Sequence, residues 1–240
     1  MIKNFDKYLP DINYIVARWP SSIHLIKKYV MSNQKKPDLY NLSICLLRNL
    51  NFHQKHPLKD TFKTLSKICD LNVTYNTYHN VHHFKSTLIL ATIYGKLLPL
   101  KKFDNILLIL IALTHDMNHQ GRRILKESYY QELLTLKKLQ QKIFKSVLSH
   151  KKWLRIKKII LNTYFPSKKE KTNDNVEKII LDVDVICSLM FGYFNGLIFS
   201  QRLKQELKVN RESKLIFRGF ISQIKKKNLH LDLSKKLCTK

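Results

Sequence analysis

The sequence has little of what β-rich folds and glycine-rich nucleotide sites require. Its 240 residues include only 5 glycines and 6 prolines, which is sparse for an all-β protein that has to turn about every ten residues. Neither G-x-G-x-x-G nor G-x-x-x-x-G-K-[ST] occurs, so the two common glycine-rich phosphate loops are excluded. We therefore predict an all-α protein that forms one compact helical domain.

Cysteine pairs and long apolar runs are also missing. The 4 cysteines are far apart and form no C-x-x-C pair, so neither a zinc knuckle nor a thioredoxin-like motif is offered. The most apolar segments, 106–114 and 185–199, fall short of the roughly 20 residues that a membrane-spanning helix needs. Asp6, Pro10 and Asp11 interrupt the N-terminus where a signal peptide would be apolar. We expect a cytoplasmic protein without a membrane span.

Acidic residues are scarce beside the basic ones. The chain has 44 Lys+Arg against 17 Asp+Glu, a net charge of +27, which favours anionic ligands, nucleic acid or an anionic membrane. A compositional bias spread over the whole surface explains the same number, and the basic runs lack the aromatic interleaving of a single-strand stacking platform. Nucleic acid is therefore an alternative partner that is not favoured, and the oligomeric state stays open.

The chain divides into three stretches within the one predicted domain. Its length suits a single sizeable core. Residues 1–70 have apolar positions at helical spacing and form a helical lead-in, 75–225 form the core with the candidate site, and 226–240 form a basic tail. Within the core, helices are predicted at 79–98 and over a long basic stretch at 122–163.

One segment is apolar on all sides and ends in polar residues. The pattern of 105–116 predicts a central core helix, which Asp104 can cap. The predicted helix ends on His115 and Asp116, and His119 stands four residues after His115. Polar side chains at the end of the most apolar predicted helix are candidate metal ligands.

Two further motifs add histidines and carboxylates. Y-H-N-V-H-H places His79 and His83 four positions apart, on one face of a helix, while His82 points elsewhere. L-D-V-D-V places Asp182 and Asp184 in an apolar helix, where an ionised carboxylate is costly unless it is paired or binds a metal. Asp182 is either a hydrogen-bond partner on the side of the helix or a spare ligand.

Taken together, the motifs supply imidazole and carboxylate ligands from three predicted helices. This mixed set suits one or two divalent metal ions: zinc, manganese or iron at a first site, and magnesium or manganese at a second. A chance origin would require each buried polar group to find its own hydrogen-bond partner.

In this order, Y-H-N-V-H-H-F, L-T-H-D-M-N-H-Q-G and L-D-V-D-V resemble the HD superfamily of metal-dependent phosphohydrolases, and most closely its class I 3',5'-cyclic nucleotide phosphodiesterases. The resemblance covers roughly residues 75–225. It implies an enzyme that cleaves a cyclic nucleotide to a nucleoside 5'-monophosphate. One alternative is hydrolysis of another nucleotide or phosphorylated metabolite, and a second is a non-catalytic basic helical module that binds nucleic acid.

The resemblance also implies a role for each matching position. One metal would be held by four residues, of which Asp116 would also bridge to a second metal. The residues that would hold the first metal are His83, His115, Asp116 and Asp184. His79 would act as general acid, and His119 would stand beside the second metal. Tyr78 and Phe220 would bind substrate, and Asn80 and Asp182 would brace the site.

The sequence departs from the family pattern at four positions. Gln120 replaces the proline of H-D-x-x-H-P-G, and Asn118 replaces an acidic residue. Gln140 lies in K-K-L-Q-Q-K-I, where the family carries a Glu and a paired His that orient the acid. Phe217 stands at the glutamine that selects the purine, which leaves the base preference open.

Overall fold

The computed structural model describes residues 9–32, 38–52, 58–72, 76–117, 119–121, 127–143, 148–164, 172–227 and 229–238. All regular secondary structure in these residues is helical, which confirms the all-α prediction. The helices are α1 Ile12–Ala17, α2 Ile23–Ser32, α3 Leu39–Asn49, α4 Lys59–Asn72, α5 Val81–Leu97, α6 Lys102–Thr114, α7 Tyr130–Ile143, α8 His150–Asn162, α9 Asn175–Ile186, α10 Tyr193–Leu207, α11 Ser213–Lys227 and α12 Asp232–Cys238.

Helices α5 and α6 form the centre of the molecule. Every residue of α5 from Val81 to Gly95 is buried, and so is every residue of α6 from Ile106 to Thr114. The two helices pack against each other, and both also contact α3 and α9. Helices this apolar require partners on all sides, and a single cluster of buried apolar residues runs from Ile12 to Leu231. None of the described helices is long and apolar enough to cross a membrane.

The start of α6 differs from its prediction. The helix begins at Lys102 after the extended Lys101, which makes no side-chain cap, so the prediction that Asp104 caps it was wrong. Asp104 instead lies in the first turn and accepts a hydrogen bond from Arg155 Nη1 of α8. Arg155 also donates to both carboxylate oxygens of Asp174, the residue that caps α9. The arginine therefore ties the starts of α6 and α9 to α8.

The basic stretch predicted at 122–163 contains two helices, α7 and α8, rather than one. Residues 148 and 149 lie between them in non-helical conformation, with Ser149 at the N-cap of α8. Residues 122–126 and 144–147 fall outside the described part of the chain.

Helices α10 and α11 approach closely at a glycine. A Cβ on Gly196 would lie 2.3 Å from the ring of Phe217 in α11, so no other residue fits there without displacing that ring. Gly192 has a different role, because its φ of 87° lies in the region that favours glycine at the N-cap of α10. The packing holds α10 beside the turn that precedes α5, which positions the second half of the candidate site.

Candidate metal centre

Three helices bring four potential ligands to one point. His83 lies in the first turn of α5, His115 and Asp116 follow the last residue of α6, and Asp184 lies in α9. One ligand atom from each of these residues lies within 4.8 Å of all the others, so the group could hold a metal ion. The predicted convergence of the three motifs is therefore present in the structure.

The separations between these atoms suit ligands of one ion. Asp116 Oδ2 lies 2.9 Å from His83 Nε2 and 3.1 Å from His115 Nε2, and Asp184 Oδ1 lies 3.4 Å from each ring nitrogen. Ligands about 2.0–2.1 Å from a tetrahedral ion are about 3.3 Å apart. Asp116 Oδ2 is buried, yet it has no hydrogen bond of suitable direction within the described residues. Ring nitrogens and carboxylate oxygens that converge at these separations are the arrangement that a cation requires.

The outward-facing nitrogens of both histidines are engaged, which leaves Nε2 of each ring for the site. His115 Nδ1 lies 3.1 Å from the carbonyl oxygen of Ala112, to which it can donate. His83 Nδ1 lies 3.4 Å from the buried Sγ of Cys187, which also donates to the carbonyl of Asp184 at 3.2 Å. Partners of this kind fix the tautomer and the orientation of a metal-binding histidine.

The two carboxylates, Asp116 and Asp184, also give this site a negative charge that favours a bound cation. Burial by itself lowers the pKa of His115, but the negative charges of Asp116 and Asp184 outweigh burial and raise the pKa to about 10. Burial likewise raises the pKa of Asp184, and the neighbouring His115 and His83 hold it below its ordinary value. Without a metal, the two carboxylates thus retain protons on the histidines, and a divalent ion would take the place of those protons.

A second group of polar side chains lies beside the first. Glu206 of α10 accepts hydrogen bonds from the backbone N–H of Tyr78 at 2.6 Å and of His79 at 3.0 Å. It also contacts His79 Nδ1, and it lies 3.4 Å from His119 Nδ1. The rings of His79 and His119 stack with centroids 3.6 Å apart. His79, His119 and Glu206 could also hold a cation. The backbone donors occupy Oε2 of Glu206, while Oε1 faces the two histidines.

His79 faces the four potential ligands from this second group. Its Nε2 lies 3.9 Å from Asp116 Oδ2, and its Nδ1 contacts Glu206. Burial would raise the pKa of Glu206, but the contact with His79 and the backbone donor of Tyr78 lower it to about 2. Glu206 is therefore ionised at neutral pH and accepts a hydrogen bond from His79 Nδ1–H. This leaves Nε2 of His79 directed at the metal site.

The secondary structure at His79 differs from the prediction. His79 does not share a helix with His83, because α5 begins at Val81 and Asn80 is its N-cap. Asn80 Oδ1 accepts from the backbone N–H of His82 at 3.0 Å, and Nδ2 donates to the carbonyl of Thr77 at 2.6 Å. The turn still brings the rings of His79 and His83 to a centroid distance of 5.4 Å. Asn80 thus caps α5 and holds the turn that carries His79.

Tyr78, predicted to bind substrate, is a buried residue whose ring contacts the rings of His79 and His83. It is 8% exposed, and its ring centroid is 4.7 Å from that of His79 and 5.4 Å from that of His83. Its ring also meets Phe199 of α10 edge-on at 6.3 Å. In this position Tyr78 supports both imidazole rings.

Asp182 has a role of its own, away from the candidate metal ligands. Its carboxylate accepts from the backbone N–H groups of His230 at 2.9 Å and Leu231 at 2.8 Å, immediately before α12. The sequence left Asp182 as either a hydrogen-bond partner or a spare metal ligand, and the structure shows that it is a hydrogen-bond partner. Asp182 therefore attaches the C-terminal segment to α9.

The positions that depart from the family pattern have separate locations. Gln140 is exposed on α7, and Gln120 is exposed, with its backbone N–H donating to Gln131 Oε1 at 3.2 Å. Phe217 is buried against Gly196, and Phe220 is half-buried on α11. Asn118 lies outside the described residues.

Sequence reasoning missed one carboxylate near the candidate ligands, Glu132 of α7. Its Oε2 is buried and has no hydrogen-bond partner within the described residues. Burial, followed by the charges of Asp116 and Asp184, raises the pKa of Glu132 to about 7. One turn later, Thr135 Oγ1 donates to the carbonyl of Met117 at 2.6 Å, which fixes α7 against the end of the H-D motif.

Sequence reasoning also missed Glu206, the residue that contacts His79. The family pattern carries its orienting Glu and paired His in the segment around Gln140, where this sequence has neither. Glu206 follows no motif and lies in a helix with many basic and amide residues. Its only signal in the sequence is that acidic residues are rare in this chain.

Comparisons with protein-family models, with curated proteins and with solved structures gave no match for this chain. The chemistry of the site is therefore inferred from the arrangement of its own side chains.

Proposed function

We propose that this chain is a metal-dependent phosphohydrolase of the HD type, and that its substrate is a 3',5'-cyclic nucleotide, opened to a nucleoside 5'-monophosphate. The observation that carries the proposal is the convergence of His83, His115, Asp116 and Asp184, whose ligand atoms lie within 4.8 Å of one another. The order of the three motifs along the sequence supports the same assignment.

The four converging residues would hold the first metal, for which zinc, manganese or iron suits the donor set. Asp116 would also contribute to holding a second ion, magnesium or manganese, and Glu132 is a further carboxylate whose pKa the charges of Asp116 and Asp184 raise. When bound, such ions lower the pKa of water from about 16 to about 7 and neutralise phosphate charge. Side chains of Asp116 and Asp184 are 18% and 20% exposed, so substrate can reach them from solvent.

The chain itself supplies the proton for the leaving group. His79 Nε2 faces the site next to Asp116, and we assign it as the general acid that protonates the departing ribose oxygen. Glu206 accepts a hydrogen bond from Nδ1–H and so holds the ring with Nε2 toward the leaving group. General acid catalysis typically contributes about 10²- to 10⁴-fold. His119, stacked on His79, keeps the ring in this orientation.

The test is a hydrolysis screen of cyclic and linear nucleotides with chelator-treated protein, before and after adding back zinc, manganese, iron or magnesium. We expect turnover of a cyclic nucleotide only after metal is restored. His115→Ala should abolish it, whereas His150→Ala, which removes an exposed histidine of α8, should not. Turnover of no phosphate ester under any metal condition would contradict the proposal.

A second candidate keeps the metal site and changes the substrate to another nucleotide or phosphorylated metabolite. It is favoured by Phe217, which is buried against Gly196 and offers no amide to read a purine edge. The same screen decides between the two, because this candidate predicts metal-dependent hydrolysis of a linear ester and none of a cyclic one.

A further inference from the structure

An apolar groove lies between α10 and α11, two helices that pack chiefly against each other. Its walls come from the last turns of α10, the turn that joins the helices and the first turns of α11. The aliphatic residues that line it are Leu203, Leu207, Val209, Leu215 and Ile216. None of them takes part in the candidate metal centre, so the groove is a separate feature of the molecule.

These aliphatic side chains remain accessible to solvent. Leu215 is 53% exposed, and the other four are half-buried. Within the described residues, Leu203 is the only one of the five that also packs against the main apolar core. Apolar surface that stays in contact with water favours any ligand that covers it.

The size of the groove suits a single acyl chain. Its volume is about 350 Å³. At about 30 Å³ for each heavy atom, the groove holds roughly 12 such atoms, the size of a fatty acid of about ten carbons. Gly219 of α11 also lines the groove, and a Cβ built on this glycine would meet no atom within 4 Å. A ligand can therefore lie against the backbone of α11 at this point.

The charged residue at the groove is basic. Arg211 lines it, is exposed and has no ion-pair partner within the described residues. Two residues later α11 begins, and its first turn has no acidic side chain that would balance the positive end of the helix. Residues 208–231 contain 7 Lys+Arg against one acidic residue, Glu212. The surroundings of the groove therefore favour a ligand with an anionic end.

We propose that the groove between α10 and α11 binds a fatty-acid-type ligand, with its acyl chain against the aliphatic lining and its carboxylate at Arg211. The fork of a guanidinium matches the two oxygens of a carboxylate. Each methylene that leaves water strengthens binding about fourfold. The proposal does not depend on the proposed function, because no step of the hydrolysis uses the groove.

The first test is titration calorimetry of full-length, chelator-treated protein with sodium decanoate, kept below the concentration at which it forms micelles. We expect one saturable site in the wild-type protein. Gly219→Leu puts a side chain into the free space of the groove and should weaken binding at least about tenfold, because it displaces several methylenes of the ligand. The matched control is Gly219→Ala, which adds one methyl group and should change the dissociation constant by less than about fourfold.

The second test separates the contribution of the carboxylate from that of the chain. Arg211→Gln should weaken decanoate binding about two- to fivefold, the range expected for an exposed ion pair. Arg218→Gln, an exposed change on α11 outside the groove lining, should change it by less than about twofold. Decanol, which has the chain without the charge, should bind equally well to wild type and Arg211→Gln. Hexanoate, four methylenes shorter, should bind more than about 100-fold more weakly than decanoate.

Equal decanoate affinity in Gly219→Leu and Gly219→Ala would overturn the proposal, and so would the absence of a saturable site in the wild-type protein. Binding to phosphatidylglycerol vesicles without binding of decanoate would also overturn it and assign the apolar face to a membrane surface. If Gly219→Leu does not fold, Leu215→Gln decides, because this half-exposed lining residue should weaken decanoate binding at least about threefold when its apolar contact is lost. Hydrolysis is not measured in these experiments, so the groove and the proposed function can fail separately.

Discussion

Glu206 accepts a hydrogen bond from His79 Nδ1, although 127 positions separate the two residues in the sequence. The same carboxylate accepts from the backbone N–H of His79, so both the backbone and the ring of this histidine are fixed by one side chain. The ring nitrogen that remains, Nε2, faces Asp116. Under the proposed function, this relationship would suit His79 to proton transfer, with Glu206 as its positioning residue.

Glu206→Gln tests that assignment. The variant keeps the size of the side chain, but an amide has only one acceptor oxygen and cannot accept from both the backbone and the ring of His79. We therefore expect kcat for a cyclic nucleotide to fall about 100-fold, because the acid loses its fixed orientation. The effect should be much smaller on a nitrophenyl phosphodiester, whose phenolate leaves without a proton. Glu212→Gln, an exposed change, is the control. An equal loss on both substrates would mean that Glu206 has only a structural role.

His79 and His83 should differ in what their removal does. His83→Ala takes away a proposed metal ligand, so metal and activity should be lost together. His79→Ala should keep the metal and lose about 10²- to 10⁴-fold on a cyclic nucleotide, with much of the relative rate recovered on a nitrophenyl diester. The measurements are metal content and the ratio of kcat/KM for the two substrates. Loss of metal in His79→Ala would remove it from the acid role.

Glu132 should make stability depend on pH in the chelator-treated protein. Its pKa rises from 4.5 to about 7 on folding, so the folded state binds the extra proton and stability falls as pH rises from 4.5 to 7. Glu132→Gln removes this penalty and should raise Tm at pH 8 by about 4–8 °C, for at most about 2 kcal/mol in a partly exposed group. At pH 5 the gain should be small. A gain of equal size at both pH values would contradict the prediction.

Replacement of Asp182 should lower the stability of the fold and leave metal binding unchanged. In Asp182→Asn one side-chain atom would present N–H groups to the backbone N–H groups of His230 and Leu231, so the free energy of unfolding should fall by about 1–3 kcal/mol. Urea unfolding measures it, with Asp232→Asn as an exposed control on α12 that should have a smaller effect. Metal content should equal that of wild type. Metal loss in Asp182→Asn would instead make it part of the metal site.

Three of the four potential ligands are polar groups in, or directly after, an otherwise apolar helical segment, which makes them predictable. His115 and Asp116 follow a helix that is buried from Ile106 to Thr114, and Asp184 lies in the apolar α9. His83 lies among other polar residues and was selected by the resemblance to the family motif. Such groups have few ways to be satisfied other than with one another or a metal. The all-α fold followed from the same patterns.

The remaining parts of the site depend on packing that the sequence does not show. Asp182 and Asp184 are two positions apart, about 200° around a helix, and only the positions of α5, α6 and α12 determine which of them faces the candidate metal site. Glu206 comes to His79 through the packing of α10, without a spacing rule. His79 was predicted on a helix, but the Asn80 cap starts α5 after it.

The most direct test of the central claim is a metal titration of chelator-treated protein in which bound metal and phosphodiester hydrolysis are followed on the same samples. We expect turnover to rise in step with the first one or two equivalents of metal. In Asp116→Ala both should disappear, because this residue is within 3.1 Å of both ring nitrogens. Absence of tight metal binding by the wild-type protein, or full occupancy in Asp116→Ala, would contradict the account.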